Sequence, residues 1–208
     1  MSDKKRKITE SLESILDEKK CNDVIKNSMK HDFISKSNFF MSLTILMIIS
    51  PIIKKIGFSH DTILKFIDIV EISKDLSVNL FGILFTGYAL FQAFTNGELI
   101  EKMLSNIGKE KSIFQEYNLF FFKTSILYLL IIVINYVLLI ILKNIPEHFF
   151  VLLFSNETNN IIATMLIAVY LFINIYSILE IKSLLYNIYQ AFNMNALNEG
   201  IKSLNEDK

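Results

Sequence analysis

The stretch Thr124–Leu142, TSILYLLIIVINYVLLIIL, contains 19 residues without a charge and decides the fold class. A helix needs about 20 predominantly apolar residues to cross the roughly 30 Å hydrocarbon core of a bilayer, so this stretch predicts a membrane span. Three other charge-free runs of comparable length cover residues 37–53, 76–97 and 158–179. We therefore expect an all-α, polytopic membrane protein with four transmembrane helices, spanning about 37–56, 76–97, 119–142 and 159–181.

The segments outside the spans also have helical periodicity. Residues 1–36 predict a cytosolic N-terminal helical region, because Ile8, Leu12, Ile15 and Leu16 recur at helical spacing, with a break near Asn22. Residues 37–182 form the predicted four-helix transmembrane domain, and residues 183–208 a cytosolic amphipathic helical tail. The fourth span has no stop signal at its end, so one helix is expected from about 160 to 194. A short helix over 59–74 is expected to lead into the second span.

Lysine and arginine residues are distributed unequally between the two sides of the predicted membrane. Four spans place both termini on one side, and 15 of the 21 basic residues fall in the segments of that side. Five fall on the other side, and Lys123 lies at the edge of the third span. Because cytoplasmic loops are enriched in Lys and Arg, the chain is predicted to have its N and C termini in the cytoplasm.

Small and polar residues share one face of the second span. On a helical wheel they fall within an arc of about 100°, and they comprise Asn79, Gly82, Thr86, Ala89, Ala93 and Asn96. The aromatic residues Phe81, Phe85, Tyr88 and Phe91 lie on the opposite side. Two interpretations remain open. The face packs closely against another helix, or several copies surround an axis and the face lines a narrow uncharged pore.

The third and fourth spans carry fewer polar residues. These are Asn135, and Tyr170, Asn174 and Ser177 at i, i+4 and i+7, with Glu180 one turn further. An unpaired amide in lipid costs several kcal/mol, so both asparagines are expected to bond to neighbouring helices. Glu180 is expected at the inner mouth, either as an interfacial charge paired with Lys182 or as part of a charged ring in an oligomer. An ion-coupled transporter is disfavoured, since no ionisable residue is expected mid-membrane.

No catalytic, cofactor-binding or metal-binding motif is present. His31, His60 and His148 are scattered near different ends of the spans, without metal-ligand spacing. The zero formal net charge gives no reason to expect direct sequence-specific binding to nucleic acid. The basic cluster Lys4, Lys5, Arg6 and Lys7 is expected to contact anionic lipid or an anionic signal molecule.

The segment from Asn79 to Leu104, in which small and aromatic residues precede Asn-Gly-Glu-Leu-Ile-Glu-Lys, resembles stretches of small membrane proteins from bacterial anti-phage systems. The similarity is to four-span components of the Hailong and Kiwa type. It implies a membrane protein that oligomerises and disturbs the membrane under the control of a cytosolic partner. A Hailong-like component would be a channel-like effector gated by a nucleotide signal, and a Kiwa-like one a membrane sensor paired with a DNA-binding partner.

Three functions follow from these observations as hypotheses. The first is a homo-oligomeric membrane effector, taken as a tetramer, that forms a channel or pore under the control of a cytosolic protein or nucleotide signal. The second is a non-conducting membrane sensor or scaffold that recruits a cytosolic defence partner. The third is a bacteriocin-immunity-type membrane protein. None of these is an enzyme, and membrane lipid is a partner in all of them.

Overall fold

The computed structural model describes residues 3–17, 20–30, 35–95, 97–108, 111–147 and 149–206. These residues form helices and no strand, apart from an isolated bridge between Ile107 and Ser112. The helices are α1 (Asp3–Leu16), α2 (Cys21–Lys30), α3 (Lys36–Gly57), α4 (Thr62–Phe94), α5 (Gly97–Ser105), α6 (Ile113–Asn144) and α7 (Asn156–Glu206). The all-α prediction is confirmed.

Four of the helices, α3, α4, α6 and α7, have the length and apolar composition needed to cross a membrane. The helices α3, α6 and α7 contain the first, third and fourth predicted spans, and α4 contains the second except for its last three residues, since α4 ends at Phe94. The predicted break in the N-terminal region is misplaced, because α1 ends at Leu16 and α2 begins at Cys21. Asn22 and Asp23 instead lie in the first turn of α2, where the helix dipole favours an acidic side chain.

The helix α3 continues through Pro51. Proline has no N–H, so the carbonyl of Met47, four residues earlier, loses its partner in the helix. The hydroxyl of Ser50 donates to that carbonyl at 2.8 Å. The helix begins at a cap, where Ser35 Oγ accepts the N–H of Asn38 at 3.4 Å. Backbone groups freed by the proline and by the helix start are therefore bonded within the chain, as a hydrocarbon environment requires.

The helices α4 and α7 extend beyond the predicted spans. As expected, α4 begins at Thr62 and runs without a break into the second span. The last helix is longer than the predicted 160–194, since α7 contains 51 residues and ends at Glu206. Ser155 stands before its start and accepts the N–H of Thr158 at 3.2 Å. Gly200 is the one glycine in the extension, and a glycine inside a helix costs only about 1 kcal/mol relative to alanine.

The sequence predicts no helix between the second and third spans, where the short helix α5 lies. Its buried residues Leu99, Met103 and Leu104 recur at helical spacing. Nine residues are a short helix, and helices of this length depend on tertiary packing. The apolar period was the available signal, but the adjacent Asn96-Gly97 pair and the many charges favoured a loop.

The described residues pack into two compact units. The first comprises residues within 1–33, 82–126 and 182–208, and the second comprises residues within 34–81 and 127–181. The core of the first is aromatic: the fully buried Phe91 lies 5.6 Å from the ring of Tyr117 and 5.5 Å from that of Phe121, measured between centroids. The core of the second centres on Val70, Leu139, Leu142 and Tyr170.

Candidate functional site

The small-residue face of α4 is exposed in the single chain. This face is defined here as Asn79, Gly82, Thr86, Ala89 and Ala93, all of which are exposed. Asn96, the sixth predicted member, lies outside the described residues. Packing against helices of the same chain is therefore not the role of this face, which presents its small and polar side chains outward.

The opposite side of α4 is the one that packs. Leu84, Gly87, Phe91 and Thr95 are buried there. The glycines Gly82 and Gly87 illustrate the difference between the two sides. A Cβ atom built on Gly87 would lie 2.6 Å from Cδ1 of Ile188, whereas one built on Gly82 meets nothing within 4 Å. The lack of a side chain at Gly87 thus allows Ile188 to pack closely against α4 within the first unit, whereas the space beside Gly82 is open.

The polar groups on the exposed face differ in how they are satisfied. Thr86 Oγ1 donates to the carbonyl of Gly82 at 3.1 Å, one turn back in the same helix. This bond allows the hydroxyl to face an apolar surrounding at low cost. Asn79 presents an exposed amide, and an amide has two donors and an acceptor that lipid chains cannot satisfy. The face therefore combines room for a close approach with a polar group that needs a partner.

A line of buried polar residues joins α6 to α7 in the second unit, and we call it the polar seam. The hydroxyl of Tyr170 donates to Asn135 Oδ1 at 2.8 Å, and the hydroxyl of Tyr128 donates to the carbonyl of Ser177 at 2.7 Å. The predicted interhelical bond of Asn135 is thus present. Asn174 differs from the prediction, because its Nδ2 donates to the carbonyl of Tyr170 within α7 at 2.9 Å.

Glu180 lies at one end of the polar seam and is only 2% exposed. Asn38 of α3, itself 1% exposed, donates its Nδ2 to Glu180 Oε1 at 3.2 Å. The hydroxyl of Tyr176 accepts the N–H of Ser35 at 3.2 Å and bonds to the same carboxyl group. The carboxyl group of Glu180 is thus paired with a neighbouring residue, Asn38, and is enclosed within one chain.

Two buried asparagine side chains in this region form hydrogen bonds through only one of their two polar atoms, Oδ1 or Nδ2. Among the residues that the structure describes, Asn38 Oδ1 and Asn135 Nδ2 are the buried side-chain polar atoms without a hydrogen-bond partner. Each amide is held by its other end, Asn38 to Glu180 and Asn135 to Tyr170. Since a single bond fixes each buried amide, the loss of that bond leaves the whole group unsatisfied.

The N-terminal helix packs on α5 through small polar contacts. Ser11 is buried, and its Oγ donates to the carbonyl of Leu104 at 2.9 Å. Ser14 also hydrogen-bonds through its side chain to that of Gln115, in the first turn of α6, at 3.2–3.3 Å. The apolar face predicted for α1 is only partly used, because Leu12 and Leu16 are exposed.

The basic cluster at the N terminus is partly neutralised by acidic neighbours. Lys4 Nζ lies 2.9 Å from Glu101 of α5, and Arg6 and Lys7 lie 3.0 and 3.2 Å from Asp3. The hydrogen bond and positive charge of Lys7 hold the pKa of the Asp3 carboxyl below its usual value. The cluster therefore presents a weaker positive field than four adjacent basic residues suggest.

The remaining candidate residues do not assemble into a site. His60 is exposed in the turn between α3 and α4, and His31 and His148 lie outside the described residues. Within the described ranges, no three His, Cys, Asp or Glu side chains are placed to hold a metal ion. Comparison of the chain with protein-family models, with curated proteins and with solved structures finds no match. Function is therefore inferred from the residues and contacts described above.

Proposed function

We propose that the protein is an oligomeric effector of the bacterial cytoplasmic membrane that disturbs the membrane in anti-phage defence. Copies of the chain meet through the small-residue face of α4 and open a path along it. The exposure of this face in the single chain carries the proposal. The role in defence rests on the resemblance of residues 79–104 to four-span defence components, and control by a cytosolic partner or ligand rests on the same resemblance.

The chemistry of the face favours another protein surface over lipid. Association of helices in a membrane is driven by close packing and interhelical hydrogen bonds, and small residues allow the backbones to approach. The open space beside Gly82 allows a second backbone to approach, and the exposed amide of Asn79 is available for an interhelical hydrogen bond. A second copy of α4 offers the same features in return, which is the self-complementarity that symmetric oligomers require.

The first experiment combines a membrane-potential dye with cross-linking in cells. We expect depolarisation by the wild-type protein and its loss in Thr86→Leu and Gly82→Leu. A Cβ atom at Gly82 meets nothing within 4 Å, and Thr86→Leu removes only the hydrogen bond of the exposed Thr86 hydroxyl to the Gly82 carbonyl within α4. Val133→Leu, at an exposed position of α6, is the matched control and should leave depolarisation unchanged.

Oligomerisation is measured separately by disulfide formation. In a Cys21→Ser background, Ala89→Cys is expected to form disulfide-linked dimers in membranes, whereas Val133→Cys is not. Dimers that persist in Thr86→Leu without depolarisation would support a path lined by the face. Absence of dimers from every position of the face would contradict the proposal.

A scaffold that recruits a cytosolic partner is the second candidate, and the end of α7 favours it. Leu197, Ile201 and Leu204 follow one another at i, i+4 and i+7 and are each more than half exposed. Such a stripe is typical of a helix that lies in the groove of a partner. Under this candidate, Leu197→Ser and Ile201→Ser abolish defence, while Gly82→Leu has no effect.

A further inference from the structure

The segment between α6 and α7 exposes a run of large apolar side chains, Phe149–Phe154, which we call the apolar loop. Every residue in it is exposed, and Leu152 and Leu153 are 86% and 89% exposed. Single exposed apolar residues are ordinary on protein surfaces, but a contiguous patch marks an interaction surface. The loop is thus expected to be covered by something other than water.

The backbone of the apolar loop is bonded by one side chain, that of Asn159 in the first turn of α7. Asn159 Oδ1 accepts the N–H of Val151 at 3.0 Å. Its Nδ2 lies 3.2 Å from the carbonyls of Val151 and Phe154 and 3.1 Å from that of Ser155. Irregular backbone at membrane depth is tolerated where its polar groups are satisfied by protein. Asn159 provides this satisfaction for the N–H and carbonyl of Val151 and for the carbonyl of Phe154.

The loop is also continuous with apolar surface on both flanking helices. Ile140 and Ile141 are exposed near the end of α6, and Ile161 and Met165 are exposed near the start of α7. Both helices have the length and composition of membrane spans. The loop lies within the connection between them, residues 145–155, and it contains no Lys, Arg, Asp or Glu between Phe149 and Phe154. The acyl chains that surround the two helices are therefore within reach of the loop.

We propose that the apolar loop inserts into the lipid leaflet at the end of α6 and the start of α7, with Asn159 holding its backbone in the inserted form. Phospholipid is the occupant that fits, because the loop offers six large apolar side chains without a charge, and the side chain of Asn159 bonds to the backbone of Val151 and Phe154. The proposal rests on the membrane placement of α6 and α7. It is independent of oligomerisation through α4, so the two proposals can fail separately.

The test uses tryptophan fluorescence, since the chain has no tryptophan of its own. Leu152→Trp protein is reconstituted into phosphatidylcholine vesicles whose acyl chains carry bromine, a contact quencher. We expect blue-shifted emission and strong loss of intensity in brominated vesicles. Glu157→Trp, exposed in the first turn of α7, is the matched control and should give red-shifted emission that aqueous iodide quenches.

Asn159→Ala is a second variant, and it tests whether the Asn159 side chain holds the backbone of the apolar loop. Combined with Leu152→Trp, it is expected to weaken bromine quenching and increase iodide quenching, because the loop backbone loses its bonded form. If Leu152→Trp emission resembles that of Glu157→Trp, the loop lies in water and the proposal is overturned. Emission quenched by neither bromine nor iodide would indicate a protein partner, such as a second copy, and would also overturn it.

Discussion

At the scale of single residues, Gly57 marks a close approach between α3 and α7. A Cβ atom built there would lie 2.9 Å from Cβ and 3.0 Å from Cα of Thr164. Because backbone atoms cannot move aside cheaply, we expect Gly57→Ala to destabilise the protein by about 1–3 kcal/mol. Thermal unfolding in detergent measures the effect. Gly82→Ala is the control and should be neutral or slightly stabilising, and equal losses for both variants would contradict the contact.

Asn38 allows a second prediction at this scale. Asn38→Ala removes the amide that donates to the buried carboxyl group of Glu180. A buried group left without its partner costs about 1–3 kcal/mol, so the unfolding temperature should fall. Thr44→Ala on the same helix is the control, because Thr44 is exposed and its hydroxyl bonds only to the carbonyl of Phe40. A similar unfolding temperature for Asn38→Ala and Thr44→Ala would argue against this role of the Asn38 amide.

At the scale of elements, the docking of α1 on α5 depends on the small size of Ser11. Ser11→Leu places a larger side chain at a buried position and removes the bond to the Leu104 carbonyl, so α1 should be released. Overpacking costs about 1–3 kcal/mol, and each 1.4 kcal/mol corresponds to about tenfold faster amide exchange. Hydrogen exchange of the α1 amides is the measurement.

Thr9→Leu is the control for this prediction, because Thr9 is exposed on the same helix and bonds only to the Lys5 carbonyl. Its α1 amides should exchange as slowly as in the wild type. Unchanged exchange in Ser11→Leu as well would mean that the contact with α5 does not hold α1.

Most elements are predictable from the sequence because their signals are local. Charge-free runs of the length of a membrane span locate α3, α4, α6 and α7, and Pro51 does not end α3, since Ser50 replaces the missing bond. The existence of α5 is not predictable in the same way, because it depends on contacts that bury Leu99 and Met103 in the first unit. The end of α7 also lies beyond the predicted one, although its residues Leu197, Ile201 and Leu204 are exposed.

At the scale of the whole molecule, the distribution of lysine predicts the orientation of the chain. We expect Glu157→Cys, in a Cys21→Ser background, to react with an impermeant maleimide in intact spheroplasts. Ser203→Cys in the tail should react only after the cells are opened. Both positions are exposed, so a difference in labelling reports the side of the membrane. Equal labelling of both in intact spheroplasts would contradict a cytoplasmic C terminus.

The candidate sites differ in how far the sequence specifies them. A helical wheel of the second span defines the residues of the small-residue face. Whether that face is buried or exposed depends on which side of α4 packs against the rest of the chain, and a wheel does not contain this information. The burial of Glu180 is not predictable from the sequence, because its partner Asn38 lies 142 residues away. The apolar loop has a clear composition, yet the bonds from Asn159 that fix its backbone appear only in the structure.

The polar seam has a consequence for the order of assembly on the ribosome. If α3 and α6 insert into a membrane during synthesis, Asn38 and Asn135 enter it before the chain has produced the residues of α7 that bond to them. Until α7 arrives, we expect these amides to lack those partners, a state that costs free energy in a hydrocarbon environment. A chain that stops before residue 156 is therefore expected to be short-lived, and synthesis of the last helix decides whether the earlier ones are retained or degraded.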